Sequence, residues 1–119
     1  MKELTKAEEE VMQVLWDLDT AFVKDIIVEL PEPKPAYNTV STFIRILQQK
    51  GFVGHEAHGR SHKYHPIVSK ESYTKTYMKG LVSKYFGGSF KQMVSFFTNE
   101  EDLSLSELEQ LIKELKKRK

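Results

Sequence analysis

The chain has 119 residues, of which 39% are hydrophobic, a formal net charge of +1 and no cysteine. This length and apolar content predict one compact domain, or a small domain with an oligomerisation segment, and argue against intrinsic disorder. The absence of cysteine excludes disulfide bonds, thiolate catalysis and thiolate metal sites.

Two helices are predicted within the first 30 residues. Thr5-x-x-Glu8 is a capping box, and apolar residues follow it on one helical face as far as Leu18. A second, shorter helix from about Ala21 to Leu30 repeats the apolar spacing i, i+3, i+4, i+7. The proline-rich segment 31–35 should end this helix, because proline cannot continue it.

The third predicted helix starts near Tyr37 and has two chemically different faces. One face is apolar, whereas the other carries a single formal charge, Arg45, among short hydroxyl and amide side chains. Such side chains donate and accept hydrogen bonds to base edges and phosphates. Gly51 is typical of the residue that follows a helix end. We interpret the segment as a recognition helix.

Two short strands are predicted after the third helix. Phe52–Ala57 and Ser61–Ile67 form a β-hairpin around His58-Gly59-Arg60. Three helices followed by a hairpin is the element order of a winged helix-turn-helix, in which the hairpin is the wing. We therefore expect a mainly α fold with a small β-hairpin, and a winged-helix DNA-binding domain over residues 1–68. Trp16, in the apolar pattern of the first helix, should be a core residue and not a base-stacking one.

Charge is unevenly distributed along the chain. Five basic residues and one acid, Glu56, lie between Lys34 and His65, whereas the first 33 residues are acidic. A positive patch confined to one part of a fold attracts phosphate.

All four histidines lie in this segment and suggest a zinc site, but four ligands from one hairpin would not converge readily. We expect them near phosphate or solvent, with no metal and no cofactor.

Residues 69–119 are predicted to form three further helices, opened by Ser69, Ser89 and Ser104. About 50 residues bury too little apolar area to be stable alone. We expect a helical dimerisation region completed by a second copy of the chain, with folding back onto the winged domain as the alternative. The expected interface residues are Tyr77, Leu81, Phe90, Phe97, Leu108 and Leu115.

These elements favour double-stranded DNA as the partner. The third helix would enter the major groove and the wing would reach phosphate or the minor groove. No catalytic motif is present, so no catalytic residue or enzymatic activity is expected. The alternative is a winged-helix scaffold for protein interactions, without sequence-specific DNA binding. The expected DNA-binding residues are Lys24, Tyr37, Asn38, Thr39, Ser41, Thr42, Arg45, Arg60, His62 and Lys63.

An ordered set of motifs runs along essentially the whole chain. It comprises Leu4-Thr5-x-Ala7-Glu8, Val23-Lys24-Asp25-Ile26, Tyr37-Asn38-Thr39-Val40-Ser41-Thr42, Lys50-Gly51-Phe52-Val53, Tyr64-x-Pro66 and Phe86-Gly87-Gly88-Ser89. This set resembles the penicillinase and methicillin-resistance repressor family of the BlaI/MecI/CopY type. The resemblance implies a dimeric bacterial transcriptional repressor on a pseudo-palindromic operator, and some members control β-lactam resistance genes.

Two departures limit what the resemblance implies. Copper-responsive members bind metal through C-terminal cysteines, which this chain lacks. In drug-responsive members a protease cleaves an Asn-Phe bond after a membrane sensor detects the drug, and the matching Phe96-Phe97 here lacks the asparagine. A regulatory protease or sensor pathway is thus left open, as are the operator, the regulated genes and the inducing signal.

No stretch approaches the roughly 18 apolar residues of a membrane span, so we expect a cytoplasmic protein without membrane insertion.

Overall fold

A computed structural model of the chain describes residues 2–99 together with residues 106, 107, 110, 113 and 114. The mainly helical fold with a two-stranded antiparallel hairpin confirms the predicted fold class. Cα positions divide the chain into two compact units, one ending at Thr74 and one starting at Lys75. The elements are α1 (Lys6–Leu18), α2 (Val23–Glu29), α3 (Tyr37–Gln49), β1 (Val53–His58), β2 (Ser61–Pro66), α4 (Lys70–Tyr85) and α5 (Phe90–Asn99).

The start of α1 has the predicted capping box. The hydroxyl of Thr5 accepts a hydrogen bond from the amide of Glu8 over 3.2 Å, and the Glu8 carboxylate accepts one from the amide of Thr5 over 3.1 Å. Both amides would otherwise lack a partner at the helix N-terminus. The helix ends at Leu18, as its apolar pattern predicted.

Helix α2 is shorter than the predicted span of Ala21 to Leu30. Ala21 is extended because its amide and carbonyl both pair with the backbone of Tyr64 in β2, over 2.9 and 2.7 Å. Leu30 is also extended, as expected for a residue that precedes proline. The ammonium group of Lys34 donates to the carbonyls of Val28 and Leu30 near the helix end, each over 2.6 Å.

The wing is an antiparallel hairpin whose strand bounds differ slightly from the predicted ones. β1 starts one residue later than predicted and includes His58, which pairs with Ser61. The turn is therefore only Gly59-Arg60, with Gly59 at φ 64°. A two-residue turn needs positive φ, which glycine adopts without a steric cost.

The core of the first unit lies between α1, α2, α3 and the hairpin. The indole Nε1 of Trp16 donates to the carbonyl of Val68 over 2.9 Å, which supports the core interpretation of this tryptophan. Tyr73, in the first turn of α4, contacts the rings of Trp16 and Phe52. This unit thus includes the start of α4, whereas the domain division into 1–68 and 69–119 stays a prediction. The fully buried large side chains are Val11, Met12, Leu15, Ile26, Val40, Ile44, Leu47 and Phe52.

In the second unit, α4 and α5 are joined by a glycine turn. Gly87 and Gly88 have φ of 58° and 82°, and the amide of Gly88 donates to the carbonyl of Val82 over 3.0 Å. The hydroxyl of Ser89 then accepts from the amide of Gln92 over 3.2 Å and caps α5.

The predicted interface residues Leu108 and Leu115 lie outside the described residues. None of the described helices is both long enough and apolar enough to cross a membrane.

Candidate nucleic-acid interface

Helix α3 is held with its polar face outward. Val40, Ile44 and Leu47 are each 0% exposed, so the apolar stripe predicted from the 3.6-residue period is its buried face. The outward face carries Arg45 and Ser41, of which Arg45 is exposed and Ser41 half-buried. The other predicted reading residues, Asn38, Thr39 and Thr42, are exposed as well.

A cleft of about 400 Å³ opens where α2, α3 and the wing meet. It brings together residues that are far apart in sequence, from the start of α2 to the second strand of the wing. Five of the ten predicted DNA-binding residues line it, and they provide two strong cations, two hydroxyl groups and an imidazole. The lining residues are Phe22, Val23, Lys24, Tyr37, Ser41, His58, Arg60, Ser61, His62 and Tyr64.

Lys63 lies outside the cleft lining. In the hairpin register it pairs with Glu56, whereas His62 pairs with Ala57, so Lys63 and His62 are on opposite faces of the wing. The ammonium group of Lys63 is 5.9 Å from the ring centroid of Phe22. This cation–π contact holds the lysine beside the N-terminus of α2.

Two basic residues of the sequence segment 34–65 are turned away from the cleft. The ammonium group of Lys50 is 2.6 Å from the carboxylate of Glu8 and 2.9 Å from the carbonyl of Glu3. Lys34 is bound to carbonyl groups at the end of α2. Two of the five basic residues that were counted in the positive patch are therefore engaged within the protein.

Four basic residues form the cationic surface around α3 and the wing. Arg45, Arg60 and Lys63 come from the basic segment 34–65, and Lys24 comes from α2. Lys24, Arg45 and Arg60 are exposed, and Lys63 is half-buried.

Tyr64 forms the floor of the cleft. It is 8% exposed, and its backbone pairs with that of Ala21. Burial raises the pKa of the Tyr64 hydroxyl, nearby Tyr37 raises it further, and Arg45 lowers it. The phenol is therefore neutral at physiological pH, and it can donate a hydrogen bond. Sequence reasoning missed this residue as part of the site.

The four wing histidines do not converge on one point. His55 and His62 stack with their ring centroids 4.1 Å apart, whereas His58 packs edge-on against Phe22 at 5.8 Å. The imidazole of His65 lies beside Gly54, where a Cβ atom would be 2.8 Å from Nε2. Within the described part of the chain, no three His, Asp or Glu side chains are grouped so as to hold a metal ion.

Comparison with known proteins identifies the family. Residues 4–117 match the family described as penicillinase repressor. The chain belongs to this family. Methicillin resistance regulatory protein MecI of Staphylococcus aureus (strain N315) is 31% identical over 110 residues, 92% of this chain and 89% of MecI. The penicillinase repressor of Bacillus licheniformis is 28% identical over 121 residues, 98% of this chain and 94% of that repressor.

A solved structure supports the fold assignment. The solution structure of the DNA binding domain of the repressor BlaI matches with a TM-score of 0.52 and 30% sequence identity, covering 61% of this chain and 94% of that domain. The match confirms the predicted winged helix-turn-helix and the family resemblance. The family consists of DNA-binding transcriptional repressors, so the chain is a repressor and not an enzyme.

The second unit has an apolar groove of about 590 Å³. Leu81 and Phe97, two of the predicted interface residues, line it. Tyr77 and Phe90, two further predicted residues, are 56% and 48% exposed. The other residues that line the groove are Tyr85, Phe86, Gln92 and Phe96.

Proposed function

We propose that the chain represses transcription by binding a pseudo-palindromic operator as a homodimer, with α3 in the major groove and the wing on the DNA backbone. The cleft between α2, α3 and the wing carries this proposal. Its cations and hydroxyl groups match the donors that bind phosphate oxygens, and it adjoins the polar face of α3.

The contacts divide into base reading and backbone positioning. Arg45 is the strongest candidate for reading, because an exposed guanidinium can bind the O6 and N7 atoms of guanine together. Asn38, Thr39, Ser41 and Thr42 share its helix and would contact bases and nearby backbone. Positioning on phosphates falls to the residues of α2 and the wing and to the first residue of α3, which are Lys24, Tyr37, Arg60, His62 and Lys63.

The homodimer is supported by the apolar surface of the second unit. Tyr77, Tyr85, Phe90 and Phe96 are each about half exposed or more, which is unusual for so many aromatic side chains in so short a segment. A second copy of the same surface would cover them through a two-fold axis. Two winged units would then contact two half-sites, and the linkage multiplies affinity through effective concentration.

The names of the relatives support resistance genes as the target. They are a methicillin resistance regulatory protein and a penicillinase repressor. By analogy, repression here would be relieved through a regulatory protease or a membrane-sensor pathway that acts on the second unit.

Salt dependence tests the proposal. Lys24, Arg60 and Lys63 give three phosphate-binding cations per protomer and six per dimer. Neutralising about six phosphates gives a slope near −5 in log affinity against log salt, so affinity should drop roughly a thousandfold between 50 and 200 mM salt. Fluorescence anisotropy on labelled duplex measures this slope. Weak binding with a flat response would instead indicate a protein-interaction scaffold.

A further inference from the structure

A side-chain hydrogen bond joins the recognition helix to the wing. The amide Nε2 of Gln48 donates to Nδ1 of His55 over 2.7 Å. Gln48 lies in the last turn of α3 and His55 lies on β1. The bond therefore connects the two elements that the proposed function brings to DNA, although neither residue is among the ten predicted DNA-binding residues.

The imidazole of His55 continues this connection across the hairpin. Its ring stacks on that of His62 at a centroid distance of 4.1 Å and an interplanar angle of 10°. The register pairs His55 with Tyr64 and Ala57 with His62, so the two histidines are diagonal neighbours on one face of the sheet. The stack thus extends from the α3 side of the wing to the cleft, which His62 lines.

Tyr64 provides a fixed base for the stack. The rings of His55 and His62 meet its ring edge-on, at centroid distances of 5.9 and 6.1 Å. Tyr64 is buried, and its backbone exchanges two hydrogen bonds with Ala21. The three rings therefore form a connected path from Gln48 on α3 to the cleft edge of the wing.

We propose that Gln48 and His55 are positioning residues for DNA recognition, which hold His62 and the cleft edge of the wing in a fixed place relative to α3. The proposal rests on the proposed function. A two-stranded hairpin is only marginally ordered by itself, whereas specific binding requires base and phosphate contacts to form together. Groups displaced by about 1 Å lose such simultaneous contacts.

The test uses the full-length chain and two single variants. Gln48→Met keeps the side-chain length and removes the donor, and His55→Phe keeps an aromatic ring on His62 and removes the acceptor. Gln13→Met is the matched control, because Gln13 is exposed on α1. The probes are a duplex selected by the wild-type protein from a random pool and a scrambled duplex of equal length and composition.

The ratio of affinities for the selected and scrambled duplexes is the readout. Each single variant should lower this ratio about tenfold, and the double variant should lower it no further, because the two residues act through one bond. Affinity for the scrambled duplex and its salt slope should stay at the wild-type values. The Gln13→Met control should keep the wild-type ratio.

A nuclear magnetic resonance measurement separates positioning from a general structural role. With Gln48 as donor, neutral His55 carries its proton on Nε2 and accepts at Nδ1. Gln48→Met should shift the Nδ1 resonance of His55 and leave His65 unchanged.

Three results would overturn the inference. They are a wild-type ratio in both single variants, losses in the double variant equal to the product of the single losses, and an unmoved Nδ1 resonance. A flat salt slope of the wild-type protein would refute the proposed function instead.

Discussion

The ion pair between Lys50 and Glu8 gives the most direct test of how the recognition helix is held. Lys50 caps α3, and its ammonium group is 2.6 Å from the Glu8 carboxylate on α1. The side chains of Lys50 and Glu8 are only 21% and 5% exposed. Lys50→Met keeps the aliphatic stem and leaves a buried carboxylate without its cation, so the first unit should be destabilised.

The magnitude follows from the carboxylate that remains. Burial acts to raise the pKa of Glu8, but hydrogen bonds from Lys50 and Thr5 outweigh it and hold the pKa below its ordinary value of 4.5. In the variant, Glu8 can become neutral by taking up a proton, which avoids burying an unpaired charge. Protonating a carboxyl group with the ordinary pKa costs about 3.4 kcal/mol at pH 7. This sets an upper limit. Since the amide of Thr5 still donates to Glu8, we expect a loss of about 2 kcal/mol.

The pH dependence has a definite sign. A carboxyl group with a lowered pKa in the folded state stabilises the protein above its unfolded pKa, and this stability is lost as pH falls through the folded pKa. The wild-type protein therefore loses the contribution of Glu8 below about pH 4.5. Lys50→Met lacks this stabilising contribution at any pH. The difference in free energy of unfolding between the two proteins should therefore narrow from pH 7 to pH 4.

Thermal unfolding monitored by circular dichroism measures the effect. A loss of about 2 kcal/mol should lower the Tm of Lys50→Met by roughly 8 to 16 °C at pH 7. Lys6→Met, at an exposed position of α1, is the control and should stay within about 0.5 kcal/mol of wild type. Adding Glu8→Gln to Lys50→Met should recover part of the loss. Equal Tm values for the Lys50 and Lys6 variants, or a difference that does not shrink on acidification, would refute the reasoning.

Three further predictions concern DNA binding. Arg45→Ala should weaken binding to the selected duplex by about 1 to 3 kcal/mol and relax preference at one base position; an unchanged preference in a repeated selection would contradict base reading. Lys63→Ala should weaken binding to all duplexes alike and reduce the salt slope by about one per protomer, unlike the Lys6→Ala control. A chain truncated after Thr74 should fold, sediment as a monomer and lose tight binding to the selected duplex, whereas a monomeric full-length chain would refute the dimer.

Local chemistry explains which parts of the fold could be predicted from sequence. The capping box at Thr5, the end of α3 before Gly51 and the glycine turn after α4 all depend on residues within a few positions of one another. The buried face of α3 follows from one helical period. Such features are fixed by short segments, so they were predicted with nearly the observed bounds.

The errors arose where a distant residue decides the structure. Ala21 was predicted as the approximate start of α2, but pairing with Tyr64 keeps it extended. Lys50 was counted in the basic patch, but its ammonium group is bound to the carboxylate of Glu8, 42 residues away. The link between Gln48 and His55 was missed because a periodic pattern on each element gives no information on which side chains meet across them.

The arrangement of α3 bears on how repression could be relieved. Its buried stripe, the ion pair at Lys50 and the bond from Gln48 all fix the helix within the first unit. A signal that deformed this helix would have to break several of these contacts at once. A signal that separates the proposed dimer needs none of them, because losing the second half-site alone lowers affinity by about 10² to 10⁴. Under the proposed function, cleavage or separation within the second unit would therefore be the easier route to release the operator, and it would leave the winged unit folded.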